Sequence, residues 1–382
     1  MRPVLAKDFL YLDYVSTTPL NKEVFNMYSE LLVKYYANSD SLHDLGMEVR
    51  KLQEKSRQQI AELLKVKTDE VIFTAGASEA NNTAIKGVAF ARKDLGKHII
   101  TSNVEHSSVM ESCIQLRDHF GYDVTFLPVD KQGQISLKDV IMALRDDTIL
   151  VTTMYVNNEL GSINPITEIA DYLKKNSQAY YHVDAVQALG KLPIDLQNID
   201  LLSLSMHKVF GLKGSGILIR KQHVAMLPLI SAGQQEKGYR GGTSNACVNI
   251  IAAKTLRLAL SKQNEHYQQV DYLRNYLLEQ LVNINGIIIN SPINGSPFII
   301  NFSYPKITSE VMMNALNEVG IAVSAQSTCH SNAKAISHVY TAMGYDEKRA
   351  HSAIRIGLDY LVSASDIDRL IIEIKRIIKQ YG

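Results

Sequence analysis

Cysteine is scarce in this chain: three residues in 382, Cys113, Cys247 and Cys329, an odd number with no close spacing. That argues against a disulfide framework and for a reducing compartment. Neither sign of charge dominates, since 40 Lys+Arg stand against 39 Asp+Glu for a formal charge of +1. Bulk electrostatics therefore favour neither direct nucleic-acid binding nor an anionic membrane surface. No run approaches the roughly 20 uninterrupted apolar residues of a membrane span. The opening MRPVLAKDFLYLDY meets a charge every few positions and offers no secretory core, so a soluble, cytoplasmic protein is expected. There is no low-complexity linker and no internal repeat. The G-x-G-x-x-G and G-x-x-x-x-G-K-[ST] patterns of nucleotide sites are missing. His106, His182, His207 and His330 lie far apart, without the H-E-x-x-H or C-x-x-C spacing of a metal centre. What remains is 46% hydrophobic and 21% charged, an ordinary globular composition able to bury a large core. At about 150 residues per domain the length suggests two or three domains.

From about residue 68 to 220, short β-rich runs alternate with amphipathic stretches. Val71–Thr74, His98–Thr101, Val124–Pro128, Ile149–Tyr155, Tyr180–Asp184, Leu201–Ser205 and Gly216–Ile219 read as strands, dense in Val, Ile and Thr. Glu79–Ala91, Ser107–Phe120, Leu137–Leu144 and Ile166–Lys175 read as helices, the last with Pro165 near its start. Apolar strands alternating with helices predict an α/β fold, a mainly parallel sheet covered on both faces. After Ala246 one long helix is expected over roughly Val248–Val282. Strand-like Gly286–Ile289 and Phe298–Phe302 follow, then a helix near Ser309–Val319 and strand-like Ile321–Val323. A strand at Ala353–Ile356 and a helix from about Ser365 complete a second, smaller α+β domain.

Three segments carry chemistry. Ser205-Met206-His207-Lys208, followed by Gly211 and Lys213-Gly214-Ser215-Gly216, puts a lysine just past the end of a buried strand. Burial depresses a lysine's pKa, and a deprotonated amine is what Schiff-base chemistry requires. Alone, the same lysine reads more readily as a solvated residue of a glycine-rich turn. Tyr181-His182-Val183-Asp184-Ala185-Val186-Gln187 ends a neighbouring strand with a carboxylate, which is either a helix cap or a group aimed into the crevice at the strand ends. Val71 to Glu79 reads strand, tight Gly76 turn, helix start, so the N–H groups of Ala77 and Ser78 suit a phosphate. A lysine and a carboxylate closing adjacent strands point towards pyridoxal phosphate, whose ring nitrogen a carboxylate keeps protonated.

With Leu12-Asp13-Tyr14, Thr17-Thr18-Pro19, Glu105-His106, Val156-Asn157-Asn158-Glu159, Arg240-Gly241-Gly242-Thr243 and Ile354-Arg355 added, the chain resembles the cysteine desulfurases of NifS/IscS type. These are fold-type I pyridoxal-phosphate enzymes of the class V aminotransferase group, and the resemblance runs in order from Tyr11 to about Tyr360. It implies a large cofactor-binding domain with a seven-stranded sheet over residues 14–257. A small domain then comprises 1–13 and 258–382, with the catalytic-cysteine loop at about 324–336. It implies that Lys208 bonds to the cofactor and moves the α-proton, and that the His106 ring stacks over it. Asp184 pairs with the pyridinium and Gln187 hydrogen-bonds the phenolic oxygen. Ala77, Ser78, Ser205 and His207 cradle the phosphate, while Thr243 reaches the phosphate of the neighbouring subunit of a homodimer. Asn157, also at the cofactor, and Arg355 hold the substrate carboxylate. Relatives often carry Thr where Ser78 stands and Ser where Gly241 or Gly242 stands; the hydroxyl and the loop survive both changes.

Cys329 sits among small polar residues, Ser324 to Asn332, whereas Cys113 and Cys247 have the apolar surroundings of structural thiols. By itself Cys329 reads equally as an exposed loop thiol. The resemblance makes it the nucleophile that attacks the sulfur of L-cysteine, releasing L-alanine and leaving a persulfide. His330 is a candidate helper for its ionisation. A carried persulfide implies a sulfur-acceptor protein, a scaffold for iron–sulfur clusters or an enzyme of tRNA or cofactor thiolation. The rival readings are a selenocysteine lyase or another class V enzyme, and a catalytically inactive binding relative.

Overall fold

A computed structural model of the chain describes residues 9–325 and 336–382. Strand β1 (Leu10–Tyr11) opens the described chain. The central sheet comprises β2 (Val71–Thr74), β3 (His98–Ser102), β4 (Asp123–Leu127), β5 (Thr148–Met154), β6 (Tyr180–Asp184), β7 (Leu201–Ser205) and β8 (Gly216–Arg220). Its order is β2-β8-β7-β6-β5-β3-β4, parallel throughout except for β8, which runs antiparallel to both neighbours. The expected mainly parallel seven-stranded sheet is present, with boundaries shifted by a residue at several ends.

Alternation explains how these short runs bury both faces. Ile72, Ile99, Leu150, Leu201 and Leu218 join one core, under helices Ala77–Ala91 and Ser107–Phe120. Their neighbours Val71, Phe73, Ile100, Val151, Leu202 and Ile219 point to the opposite core. That core is closed by Ile60 and Ala61 of helix Asp44–Leu64, by Ile169 and Leu173 of helix Ile166–Asn176, and by Leu256. Buried polar strand residues satisfy one another. His182 spans Thr152 (2.7 Å) and Ser203 (2.9 Å), and burial pushes its imidazole down to about 3, so it is neutral.

The helix expected over 248–282 is two helices, Ala246–Ser261 and Gln263–Val282, broken at Lys262 with φ −122° and ψ 17°. The break separates two apolar faces with different targets. The first helix packs on Lys22–Lys34 and Asp44–Leu64, the second on the C-terminal helix Ala364–Tyr381 and on β9 (Ile288–Ile289). The sequence pattern does not single out helices Lys22–Lys34 and Asp44–Leu64, because charged and polar residues crowd between their apolar positions and much of each faces solvent.

A second sheet places β10 (Ile299–Ser303) between β9 and β12 (Ala353–Gly357), all antiparallel. β11 (Ile321–Ala322) pairs in parallel with β1, Leu10 opposite Ile321. Bridges Asp13–Gly357 and Ser324–Arg355 extend this joint and draw the N-terminal segment against β12. Among the described residues no helix is long and apolar enough to cross a membrane.

Candidate active site

Parallel strands β5, β6 and β7 end at Met154, Asp184 and Ser205, so their carboxyl ends open on one edge of the sheet. There a cavity of about 560 Å³ is lined by Ala77, Ser78, His106, Asp184, Gln187, Ser205, His207, Lys208 and Arg355. Of the residues expected at the site, these nine converge. Lys213 and Asn158 line the same space, as does the apolar side of Val15, Met154, Val156 and Val186.

Lys208 ends a one-turn 3-10 segment, Met206–Lys208, that follows β7 directly. Its Nζ donates to the carbonyls of Val15 (2.8 Å) and Ser16 (2.7 Å), which aims the amine across the cavity floor. Asp184 is buried; its Oδ2 accepts from Asn81 Nδ2 at 2.8 Å and its Oδ1 from the Val186 N–H at 3.1 Å. Asn81 Nδ2 also donates to Ser108 Oγ at 2.9 Å. The Ser108 N–H donates to His106 Nδ1 at 3.2 Å, and Ser108 Oγ lies 2.8 Å from the same nitrogen. A backbone N–H only donates, so Nδ1 is the unprotonated nitrogen of the ring. Asn81 and Ser108 thus tie the carboxylate to the imidazole, and the sequence motifs single out neither.

The anion end is built from a turn. Gly76 precedes helix Ala77–Ala91 with φ 152°, a backbone region that favours glycine, and no described side chain caps that helix. Its first N–H groups, those of Ala77 and Ser78, therefore stand ready for an anion. Gly216 makes the turn possible, since a Cβ there would fall 2.6 Å from the Gly76 backbone. His207 stands beside it; burial, then Lys208 and Lys213, push its imidazole down to about 4, so it is uncharged near neutrality.

At the opposite end Arg355, on β12, is buried, and four hydrogen bonds fix its guanidinium. Nη2 donates to Asp13 Oδ1 (3.1 Å) and Ser16 Oγ (2.8 Å), Nη1 to the Asn158 carbonyl (2.9 Å), and Nε to Ser324 Oγ (3.0 Å). Asp13 is the anchor of this group, receiving Ser16 Oγ and Ser324 Oγ as well, each at 2.9 Å.

Two expected residues lie apart. The Asn157 amide is committed to its own surroundings, donating to the Val104 carbonyl and accepting from the N–H groups of Glu159 and Leu160. Thr243 lines an adjoining cavity of about 150 Å³ with Arg240 and Gly242, which shares Ala75 and Gly214 with the main one. Cys329 and His330 lie outside the described residues. On either side of 326–335, Ser324 bonds the cavity-lining Arg355, and His338 Nε2 meets the carbonyl of Glu105, the residue before the cavity-lining His106, at 2.8 Å.

A lysine, a buried carboxylate on the next strand, an uncapped helix start with hydroxyl and imidazole beside it, and room for a substituted ring form a donor set that fits pyridoxal phosphate.

The family model for aminotransferase class V matches residues 10–370. The chain is 39% identical over 375 residues to the cysteine desulfurase IscS of Dictyoglomus turgidum, covering 97% of this chain and 95% of that protein. It is 40% identical over 355 residues to a putative cysteine desulfurase IscS 1 of Bacillus subtilis, covering 91% and 92%. Among solved structures, a NifS-like protein superposes with a TM-score of 0.91 at 33% identity, over 97% of this chain and 99% of the other. A second, SspA in complex with cysteine, gives 0.80 at 33% identity over 91% and 98%.

Proposed function

The chain belongs to the class-V aminotransferase family and is a cysteine desulfurase; from that premise we propose that it carries sulfur from L-cysteine as a persulfide on Cys329 and passes it to an acceptor protein. The observation that carries the reading is the convergence of Lys208, Asp184, His106 and Arg355 on one cavity, with Ser324, before the Cys329 segment, bonded to Arg355 and His338, after it, bonded to the Glu105 carbonyl next to His106.

The cofactor of this family, pyridoxal 5'-phosphate, supplies an electron sink for the pair left on the substrate α-carbon. The Ala77 and Ser78 N–H groups, the Ser205 hydroxyl and His207 would hold its phosphate, with Thr243 completing the phosphate site of a neighbouring subunit. Asp184 would keep the ring nitrogen protonated, Gln187 would donate to the phenolic oxygen, and the His106 ring would cover the face. Lys208 Nζ would bond to the cofactor at rest and, once released, take the α-proton. Arg355 would hold the substrate carboxylate. Asn157, its amide engaged locally, would act by shaping the turn that brings Asn158 to the cavity. A Cys329 thiolate attacks the substrate sulfur, the C–S electron pair stays with the substrate carbon, and protonation there gives L-alanine. His330 is its candidate helper.

The acceptor is a scaffold for iron–sulfur clusters or an enzyme of tRNA or cofactor thiolation, in the cytoplasm. We divide the chain into a large domain, 14–257, and a small one, 1–13 with 258–382; the pairing of β1 with β11 supports that grouping. A homodimer is supported by the exposure of Phe25, Leu32, Val33, Tyr36, Leu42 and Leu45, large apolar side chains on helix Lys22–Lys34, the connection after it and the start of helix Asp44–Leu64.

The test is Cys329→Ser. The variant is expected to bind cofactor and L-cysteine but to form no persulfide and release essentially no alanine, because a serine hydroxyl is far too weakly ionised to attack sulfur. Alanine release and the mass of the Cys329 peptide are measured together. Undiminished alanine release would show that another thiol takes the sulfur, whereas sulfide with pyruvate and ammonia in place of alanine would show plain elimination, as a lyase reading requires.

A further inference from the structure

Lys191 is in the turn after β6 and only 4% exposed, where an ammonium is costly to keep. Burial pushes it down to about 8, opposed by Asp359 and reinforced by Arg355. Its Nζ donates to Gln187 Oε1 at 3.2 Å and stands 5.5 Å from the centre of the Phe298 ring. Gln187 in turn lines the main cavity, and its Nε2 donates at 3.1 Å to the Val15 carbonyl that also receives Lys208 Nζ. On its other side Lys191 borders a second cavity of about 250 Å³, shared with Lys208 and Asp359. Lys191 and the cofactor lysine are thus joined through one glutamine and one carbonyl.

The polarity of that chain is determined by chemistry. An amide has one acceptor oxygen and two N–H donors, while an ammonium only donates. With Oε1 facing Lys191, the Gln187 N–H groups face Val15 and the cavity. Rotating the amide would set N–H against ammonium and oxygen against carbonyl, losing both bonds.

We propose that Lys191 is a positioning residue: it locks Gln187 with its N–H side towards the cavity, so that the site presents a donor, not an acceptor, to the phenolic oxygen of pyridoxal phosphate. The proposal rests on the cofactor reading above, and Lys191 itself touches neither cofactor nor substrate in it. A locked donor favours the ionised phenolic oxygen, so both cofactor affinity and the visible absorption of the bound cofactor depend on Lys191.

Apoprotein is titrated with pyridoxal phosphate, following absorption, for the wild type, Lys191→Met, Gln187→Leu and the double variant. Lys191→Met is expected to bind about tenfold more weakly, the size of one hydrogen bond to a charged group, and to shift the visible band. In the Gln187→Leu background the same change is expected to add almost nothing. Gln187→Glu keeps the Lys191 contact but removes the N–H donors; it is expected to show the same weakening and shift even if Lys191→Met folds poorly. Wild-type affinity and band in Lys191→Met or Gln187→Glu would overturn the proposal, as would losses that simply add in the double variant. A wild-type chain that takes up no pyridoxal phosphate would instead overturn the cofactor reading itself.

Discussion

Glu105 is a carboxyl that the fold keeps entirely from water, one residue before His106. Burial pushes it up to about 8, against the Ser102 hydroxyl bonded to it at 2.5 Å and a Met154 backbone contact, with Asp184 adding to the rise. It therefore holds its proton near neutrality. In the unfolded chain the same group ionises near 4.5. Between those two values the unfolded state binds fewer protons, so this residue's contribution to stability is full below about 4.5 and is lost as pH rises towards 8. Glu105→Gln cannot titrate, so its melting temperature is expected to fall less than that of the wild type between pH 5 and pH 8. Scanning calorimetry at the two pH values checks this; parallel losses in both proteins would mean that Glu105 is ionised in the fold. At this scale much was legible: Lys208 and Asp184 stood out by their own segments, His106 and Arg355 by the family resemblance, and all four line the cavity. Asp13 carried a motif position but no role, and Asn81 carried neither, because their work is done on partners elsewhere in the chain.

Among the elements, the turn from β2 into helix Ala77–Ala91 forms the proposed anion site, and β8 supports it from beside. This reversed strand of the central sheet starts at Gly216 and lies so close to Gly76 that no side chain fits between them. Gly216→Ala is expected to destabilise the protein by about 1–3 kcal/mol, the usual cost of forcing a methyl into filled space. It is also expected to weaken pyridoxal phosphate binding, because the displaced segment is the proposed phosphate turn. Denaturant unfolding and cofactor titration measure the two effects separately. A loss of stability with unchanged cofactor affinity would mean that the turn is not the phosphate cradle. The strands and the helices between them were legible from apolar runs and their spacing. The break at Lys262 was not, since Leu- and Lys-rich sequence continues across it and only the different packing partners of the two halves demand it.

For the whole molecule, the placement of Thr243 beside the main cavity but outside its lining is what a shared phosphate site between two subunits would produce. Its loop is fastened to the body of the molecule by buried Glu236, whose carboxylate takes the Arg57 guanidinium at 2.6 and 2.9 Å and the Phe73 N–H at 2.9 Å. Glu236 and Lys237 both have positive φ (46° and 58°), a strained conformation that such a buried pair can hold in place. Light scattering is expected to give twice the chain mass. Phe25→Asp with Leu32→Glu, which puts charge on the exposed apolar helix, is expected to yield a monomer with weakened cofactor binding. A monomer that keeps full affinity and activity would refute the shared site.

The sequence alone determined the layer architecture, because a strand buried on both faces must be a short apolar run and the helices beside it must alternate with it. It also pointed to Lys208, Asp184 and the Gly76 turn as parts of the proposed cofactor site, each a short segment whose chemistry is local, although the family resemblance was needed to choose among their readings. Tertiary structure decided the supports. Arg355 is held by Asp13 from 342 residues away, and Asp184 by Asn81 from 103 residues away. Lys191 and Gln187 are only four apart in the chain, yet their importance lies in burial, which no spacing reveals. Hydrogen bonds between distant segments exist only once sheet register and packing have brought the segments together. That is why the residues that would react could be read from the chain, and those that hold them in place could not.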